Sequence, residues 1–308
     1  MGNSKSLLNK EKKSVESRSK KILKSKSSSR QTDSKNFFEF DADLNFAICS
    51  EADRLFTLHL FVQHVFDGRF SAPIESKLRN GEAKVLDIGC GPGAWILEMA
   101  TEYPSSQFFG IDIADAYPTE NCPNNVKFET RNVIERLAFP DDYFDFVRIA
   151  LMSSSLNEQE YYDAICQVLR VLKPGQYIEI IEFLLPIHNL GPKHKTIDEA
   201  FQAHSAAYGI NLRMARKLES MLETTKQTND IESMTRTVQV GLSGGKAGKL
   251  LYMILDTFSL ELSKNGIAAS LGLSLEQYKD VWQECRQEMI DYETRVSIKK
   301  VWGQKVVT

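Results

Sequence analysis

The twelve residues KVLDIGCGPGAW, positions 84–95, constrain this chain more than any other stretch. They read as a buried strand, a turn almost bare of side chains, and the first turn of a helix. Gly89, Gly91 and Gly93 occupy three of five successive positions at that handover. In open α/β sheets the ligand crevice lies outside the carboxyl ends of the strands. A glycine turn there lets the main chain approach a ligand without Cβ interference. The spacing is GxGxG, whereas a dinucleotide turn is GxGxxG and seats a pyrophosphate on the helix end. Asp87 stands two residues before the first glycine. An acidic group beside the loop suits a cationic ligand better than pyrophosphate, so a nicotinamide oxidoreductase is the weaker reading.

The surrounding pattern alternates. AKVLDIG, QFFGIDI, VKFETRN, FDFVRIAL and QYIEIIEF are rich in Val, Ile and Phe and read as strands. AWILEMATEY, stopped by Pro104, and EQEYYDAICQVLRVL, stopped by Pro174–Gly175, read as helices between them. Strands alternating with helices predict an α/β fold, Rossmann-like, with a parallel sheet covered on both faces. Before this core, residues 50–66 have apolar positions at helical spacing, with Ser50 as the cap. After Pro186 the pattern predicts two helices within residues 196–226, a strand over 234–242, and a helix from the Lys246 region onward. A capping box at SLEQ, 274–277, then opens another helix, and a strand over 295–302 closes the chain.

Chemistry-bearing residues follow in strand order. Asp112 ends the second strand, where a carboxylate can accept both hydroxyls of a ribose. Asn132 and Val133 end the third, where an amide and a main-chain N–H can read an adenine edge. Of the five histidines, His188 and His194 lie just past the fifth strand, where a general base could sit. No catalytic residue is assigned. The histidine spacings suggest no metal site. GLSGGKAGK lacks the spacing of a phosphate-binding loop and reads as a strand-to-helix turn.

The segments VLDIGCGPG, GIDI, ERLAFPDDYFDFV and LRVLKPGQYIEIIE, in order, resemble the successive motifs of class I S-adenosylmethionine-dependent methyltransferases. More closely, the chain is similar to a set of fungal methyltransferases, through Glu51–Leu55, RMARKLE at 213–219 and GGK at 244–246. The resemblance implies a seven-stranded sheet whose last strand runs antiparallel, with a helical insertion between strands six and seven over the active-site end. It implies S-adenosylmethionine as cofactor. Asp87, Gly89, Cys90, Gly91 and Gly93 would hold its methionine part, Asp112 its ribose, and Ile113, Asn132 and Val133 its adenine. Gln176, Ala150 and Leu184 depart from residues usual in relatives and are read as positions around the substrate pocket. The expected activity is methyl transfer to an unidentified acceptor, a small or lipid-like molecule. The alternative is a SAM-binding regulatory protein that has lost catalysis.

The chain carries a net charge of -3, unevenly spread. Residues 1–30 hold ten Lys/Arg against two acidic residues, which is +8, so the other 278 carry -11. An acidic body argues against nucleic acid as partner. Residues 1–35, Ser- and Lys-rich, are expected to be a disordered basic tail. MGNSKS fits the myristoylation pattern with Gly2 as acceptor, and the basic residues supply a second signal for an anionic membrane surface. Without an apolar leader or a CxxC pair, the expected location is the cytoplasm, at the cytosolic face of a membrane if Gly2 is acylated. Four segments are expected: the tail 1–35, an N-terminal helical segment 36–80, a cofactor-binding core 81–186, and a cap with strands six and seven over 187–308.

Overall fold

A computed structural model describes residues 50–307 apart from Glu82. Gly2, the basic tail and residues 36–49 lie outside the described residues. The described part opens with helix α1 (Glu51–Val65), and the Ser50 side chain accepts from the Asp53 N–H as expected. A short helix α2 (Glu75–Arg79) leads to strand β1 (Lys84–Ile88), then α3 (Ala94–Glu102), β2 (Gln107–Asp112), β3 (Val126–Thr130) and β4 (Phe144–Ala150). Next come α4 (Glu158–Val171), β5 (Leu172–His188), α5 (Pro192–Ala207), α6 (Leu218–Thr225), β6 (Thr228–Gln239), α7 (Gly245–Leu262), α8 (Leu275–Asp291) and β7 (Arg295–Lys305).

The seven strands form one sheet in the order β3-β2-β1-β4-β5-β7-β6. The first five are parallel, and β7 runs antiparallel to both β5 and β6. The chain therefore moves outward from β1 to β3 and returns across β1 to β4. The carboxyl ends of β1 and β4 meet at the topological switch point, which opens a crevice there.

Alternation along each strand feeds two cores. Leu86, Ile88, Val147, Ile149 and Ile180 pack with Ile165, Val168 and Leu169 of α4 and with Leu218 and Leu222 of α6. Val85, Phe108, Phe146 and Trp302 pack on the other face with Trp95, Ile96 and Met99 of α3 and Leu78 of α2. Burying each such side chain contributes about 1.5–3 kcal/mol. Charge also crosses this second face. Asp87, Arg148, Glu179 and Lys300, on β1, β4, β5 and β7, are all buried. Arg148 pairs with Asp87, and Lys300 lies 3.5 Å from Glu179.

Three boundaries differ from the sequence reading. Helix α4 ends at Val171 and the chain is already extended at Leu172, one residue ahead of Lys173, where Pro174 disfavours helical geometry. Strand β5 runs on to His188, well past Phe183. Strand β6 begins at Thr228 and stops at Gln239. Gly241 then takes φ 88°, a conformation that turns the chain toward α7. The capping box at Ser274 and Gln277 is present at the start of α8.

Candidate active site

The three glycines of the β1–α3 turn all have positive φ: 68° at Gly89, 51° at Gly91 and 77° at Gly93. Their surroundings differ. A Cβ on Gly89 would overlap Met152 Sδ, and one on Gly93 would come within 2.7 Å of the Phe128 ring. At Gly91 the nearest neighbour would be Leu55 Cδ1, at an ordinary 3.5 Å. Two of the glycines therefore admit neighbouring side chains, and Gly91 leaves open space. The turn is tied to β2: the Gly89 and Cys90 N–H groups donate to the Ile111 carbonyl, at 2.9 and 3.0 Å. The Gly91 N–H donates to Asp112 Oδ2 (2.8 Å), and the Ala114 N–H to Asp112 Oδ1 (2.9 Å).

A cavity of about 400 Å³ opens against this turn. Asp87, Gly89, Cys90, Gly91 and Asp112 line it, and Gly93 does not. Ile113, 71% exposed, and Asn132 line a separate recess of about 190 Å³ with Arg131, Glu135 and Arg136. Asn132 Oδ1 accepts from the Ile134 N–H at 3.2 Å. The Val133 side chain belongs to the core against α4. Apart from Gly93, the residues expected to hold the methionine part and the ribose thus meet in one cavity, and two of those expected to hold the adenine border another.

Two charged groups in the cavity wall went unnoticed in the sequence. Arg148 on β4 donates from Nη1 to Asp87 Oδ1 at 2.9 Å, and its guanidinium lies 4.7 Å over the Trp95 ring. Burial raises the Asp87 pKa, and Arg148 offsets part of that. Glu182 on β5 is fully buried and accepts four bonds: from the Met152 and Ser153 N–H groups, Ser153 Oγ and Tyr161 Oη, at 2.7–3.1 Å. Burial outweighs these donors and raises its pKa to about 7. A visible signal existed, since FDFVRIA and YIEIIEF each set two charges in an apolar strand, and a buried charge requires a partner or a task. Of the three departures read as pocket positions, Ala150 does line the cavity. Leu184 packs against the core. Gln176, near the amino end of β5, accepts from Lys77 Nζ at 3.1 Å. Arg148 and Glu182, two residues earlier than Ala150 and Leu184 on the same strands, face the cavity.

The histidines separate as well. His188 is exposed, while His194 is buried and lines the cavity. His59 also borders it but is bonded to Glu98 Oε2 at 2.8 Å. The far wall is built by the cap. Ile197 and Phe201 of α5, Leu251, Ile254 and Phe258 of α7, and Trp282 of α8 line it with Leu55 and Leu58 of α1. Asp256 locks α7 to α8, accepting from Trp282 Nε1 (2.7 Å) and from Arg286 Nε and Nη2 (2.6 and 2.9 Å).

The wall carries five carboxyl groups, on Glu51, Asp87, Asp112, Glu182 and Asp198, against two guanidiniums, on Arg54 and Arg148. Both guanidiniums are already paired, Arg54 with Glu51 and Arg148 with Asp87. With both guanidiniums paired and acceptor sites left over on the carboxyl groups, this lining suits a sulfonium or ammonium cation better than a phosphate. A carboxylate has about four acceptor sites. Asp112 spends two on the turn, so acceptors remain for a ribose diol. The residues present therefore fit S-adenosylmethionine. No group of three His, Cys, Asp or Glu that could hold a metal occurs among the described residues. No helix among them is long and apolar enough to cross a membrane.

Residues 85–175 match the family described as "Methyltransferase domain". Over 142 residues the chain is 30% identical to the secondary metabolism regulator laeA of Coprinopsis cinerea, covering 45% of this chain and 35% of that protein. It is 24% identical over 152 residues to methyltransferase str3 of Strobilurus tenacellus, covering 48% of this chain and 54% of that one. The chain thus spans about a third to a half of the length of these curated relatives. A phosphoethanolamine N-methyltransferase of Haemonchus contortus, solved with S-adenosylhomocysteine, aligns at a TM-score of 0.48 and 17% identity, over 84% of this chain and 61% of that one.

Proposed function

We propose that this chain, whose residues 85–175 match a methyltransferase domain, transfers the methyl group of S-adenosylmethionine to an apolar small molecule or lipid-like acceptor. The observation that carries this reading is a single cavity walled at one end by the glycine turn and Asp112 and at the other by apolar side chains of the cap. In this reading Asp87, Gly89, Cys90, Gly91 and Gly93 form the cradle for the methionine part, and Asp112 accepts from the ribose. Ile113, Asn132 and Val133 border the adenine. When bound, the cofactor supplies a methyl group made electrophilic by its sulfonium. The chain's own residues hold the two ligands in line and exclude water, which accounts for much of the rate in such displacements. The surplus of carboxyl groups favours a cationic ligand.

Calorimetric titration with S-adenosylmethionine and with its demethylated product tests the cofactor site. Binding that Asp112→Ala removes supports it, and no binding to either ligand sinks it. Incubation with methyl-labelled cofactor and fractionated fungal extract then tests transfer. Label in an organic-soluble fraction supports an enzyme with an apolar acceptor. Tight cofactor binding with no labelled product would favour a regulatory protein instead. The tail is read as a myristoyl anchor on an anionic membrane surface, at the cytosolic face, and a mass spectrum showing unmodified Gly2 in the native protein would remove that reading.

A further inference from the structure

The cap end of the cavity holds a ring nitrogen with no hydrogen-bond partner among the described residues. His194 on α5 is 4% exposed and lines the cavity. Its Nδ1 has no hydrogen-bond partner among the described residues. Its main-chain N–H donates to Glu288 Oε2 at 2.9 Å, and its ring meets Trp282 edge-on with centroids 5.4 Å apart. These contacts orient the imidazole without satisfying that nitrogen. An unsatisfied buried polar atom is destabilising, and a hydrogen bond from a ligand would relieve it. Burial lowers the His194 pKa to about 4. The ring is therefore neutral at physiological pH and keeps one bare nitrogen as an acceptor.

The walls around it are aromatic and aliphatic. Phe201 and Phe258 stand edge-to-face at 5.6 Å, and Trp282 closes the α8 side. Asp198, one helical turn from His194, also borders the cavity; one of its oxygens accepts from Gln202 Nε2 at 2.6 Å. A mostly apolar chamber with a vacant ring nitrogen, and a carboxylate one helical turn away, is the usual build of a site that orients an apolar ligand through few polar contacts.

We propose that the cap end binds an aromatic alcohol, its ring among Phe201, Phe258 and Trp282 and its hydroxyl donating to the bare ring nitrogen of His194. The identification of this alcohol as the methyl acceptor rests on the function proposed above. His194 is then a specificity-determining residue. A site built to hydrogen-bond a hydroxyl discriminates against an analogue lacking it, because the buried acceptor is left unpaired again. The methyl ether of the same ring has no proton to donate, so the contact that selects the alcohol also weakens the hold on the methylated form.

The test is equilibrium dialysis of the full chain, without cofactor, against 2-naphthol and against 2-methoxynaphthalene. The alcohol should bind about five- to tenfold more tightly, the range of one net hydrogen bond. In His194→Phe, which keeps an aromatic edge toward Trp282, the ratio should fall to about one. Equal affinity of the two probes in the unmodified protein overturns the proposal. So does a ratio that survives in His194→Phe, a failure of both probes to bind, or tighter binding of 1-decanol than of 2-naphthol. If His194→Phe loses its cooperative melt, ring nitrogen-15 resonances of the unmodified protein decide: naphthol should shift one of the five histidines, and the ether should not. Because no cofactor is present, a failed cofactor titration would sink the proposed function and leave this result standing.

Discussion

Arg148 and Asp87 hold each other at the floor of the cavity, Nη1 2.9 Å from Oδ1, with both side chains under 10% exposed. Arg148→Met removes the cation and leaves a buried carboxylate uncompensated. Breaking such a pair from one side costs about 3–5 kcal/mol. The denaturant midpoint at pH 7 should fall accordingly, and the deficit should shrink in acid as Asp87 takes up a proton. A loss under about 1 kcal/mol would show that solvent already reaches the pair.

Asp112 serves the glycine turn and, in the proposed function, the ribose. Asp112→Ala should weaken S-adenosylmethionine binding at least about tenfold, the scale of losing a hydrogen bond to a charged group. It should also speed hydrogen exchange at the Gly91 amide, which loses its acceptor. Asp112→Asn keeps one carbonyl oxygen for that amide and should fall between. Calorimetry and exchange on the same variants separate the two roles, because a purely structural Asp112 would leave both effects in proportion.

Gly91 and Gly93 should respond differently to alanine. Gly93→Ala meets a left-handed φ and the Phe128 ring together, so stability should drop by about 2–4 kcal/mol. In a Phe128→Ala background part of that loss should return. Gly91→Ala meets the φ penalty alone, about 1–2 kcal/mol, but adds a methyl group at the cavity. Its larger effect should be on cofactor affinity, read by calorimetry.

Glu182 makes stability depend on pH. Its pKa is raised from 4.5 to about 7 in the folded protein, so between those values the folded state binds more protons than the unfolded one. The stabilisation is complete below pH ~4.5 and is lost as pH rises through ~7. His194 acts in the opposite sense, because its pKa is lowered from 6.5 to about 4 and stability from it grows over that window. Glu182→Gln isolates the first contribution: relative to it, the unmodified protein should lose about 2–3 kcal/mol between pH 4.5 and 7.5 in denaturant titrations. A constant difference across that range would mean that Glu182 stays ionised throughout, held by its four donors.

Much of the frame was legible in the sequence because its causes are local. Val, Ile and Phe runs alternating with helical periods predict strands and helices, and a capping box such as Ser274–Gln277 fixes where a helix starts. The glycine turn, Asp87 and Asp112 were readable for the same reason: backbone conformation and strand ends are properties of short segments. What short segments do not carry is which residues meet. Arg148 is one of two charges in an otherwise apolar strand, and only the parallel pairing of β1 with β4 sets it opposite Asp87. Glu182 gained its four donors only when the β4–α4 loop and Tyr161 closed over it. His188 and His194 are six residues apart and were equal candidates, yet one faces solvent and the other is sealed under α8. Burial and hydrogen-bond satisfaction depend on packing between elements distant in sequence, so the sequence by itself determined the sheet and its glycine turn, and the tertiary structure decided which of its charges and rings form the cavity.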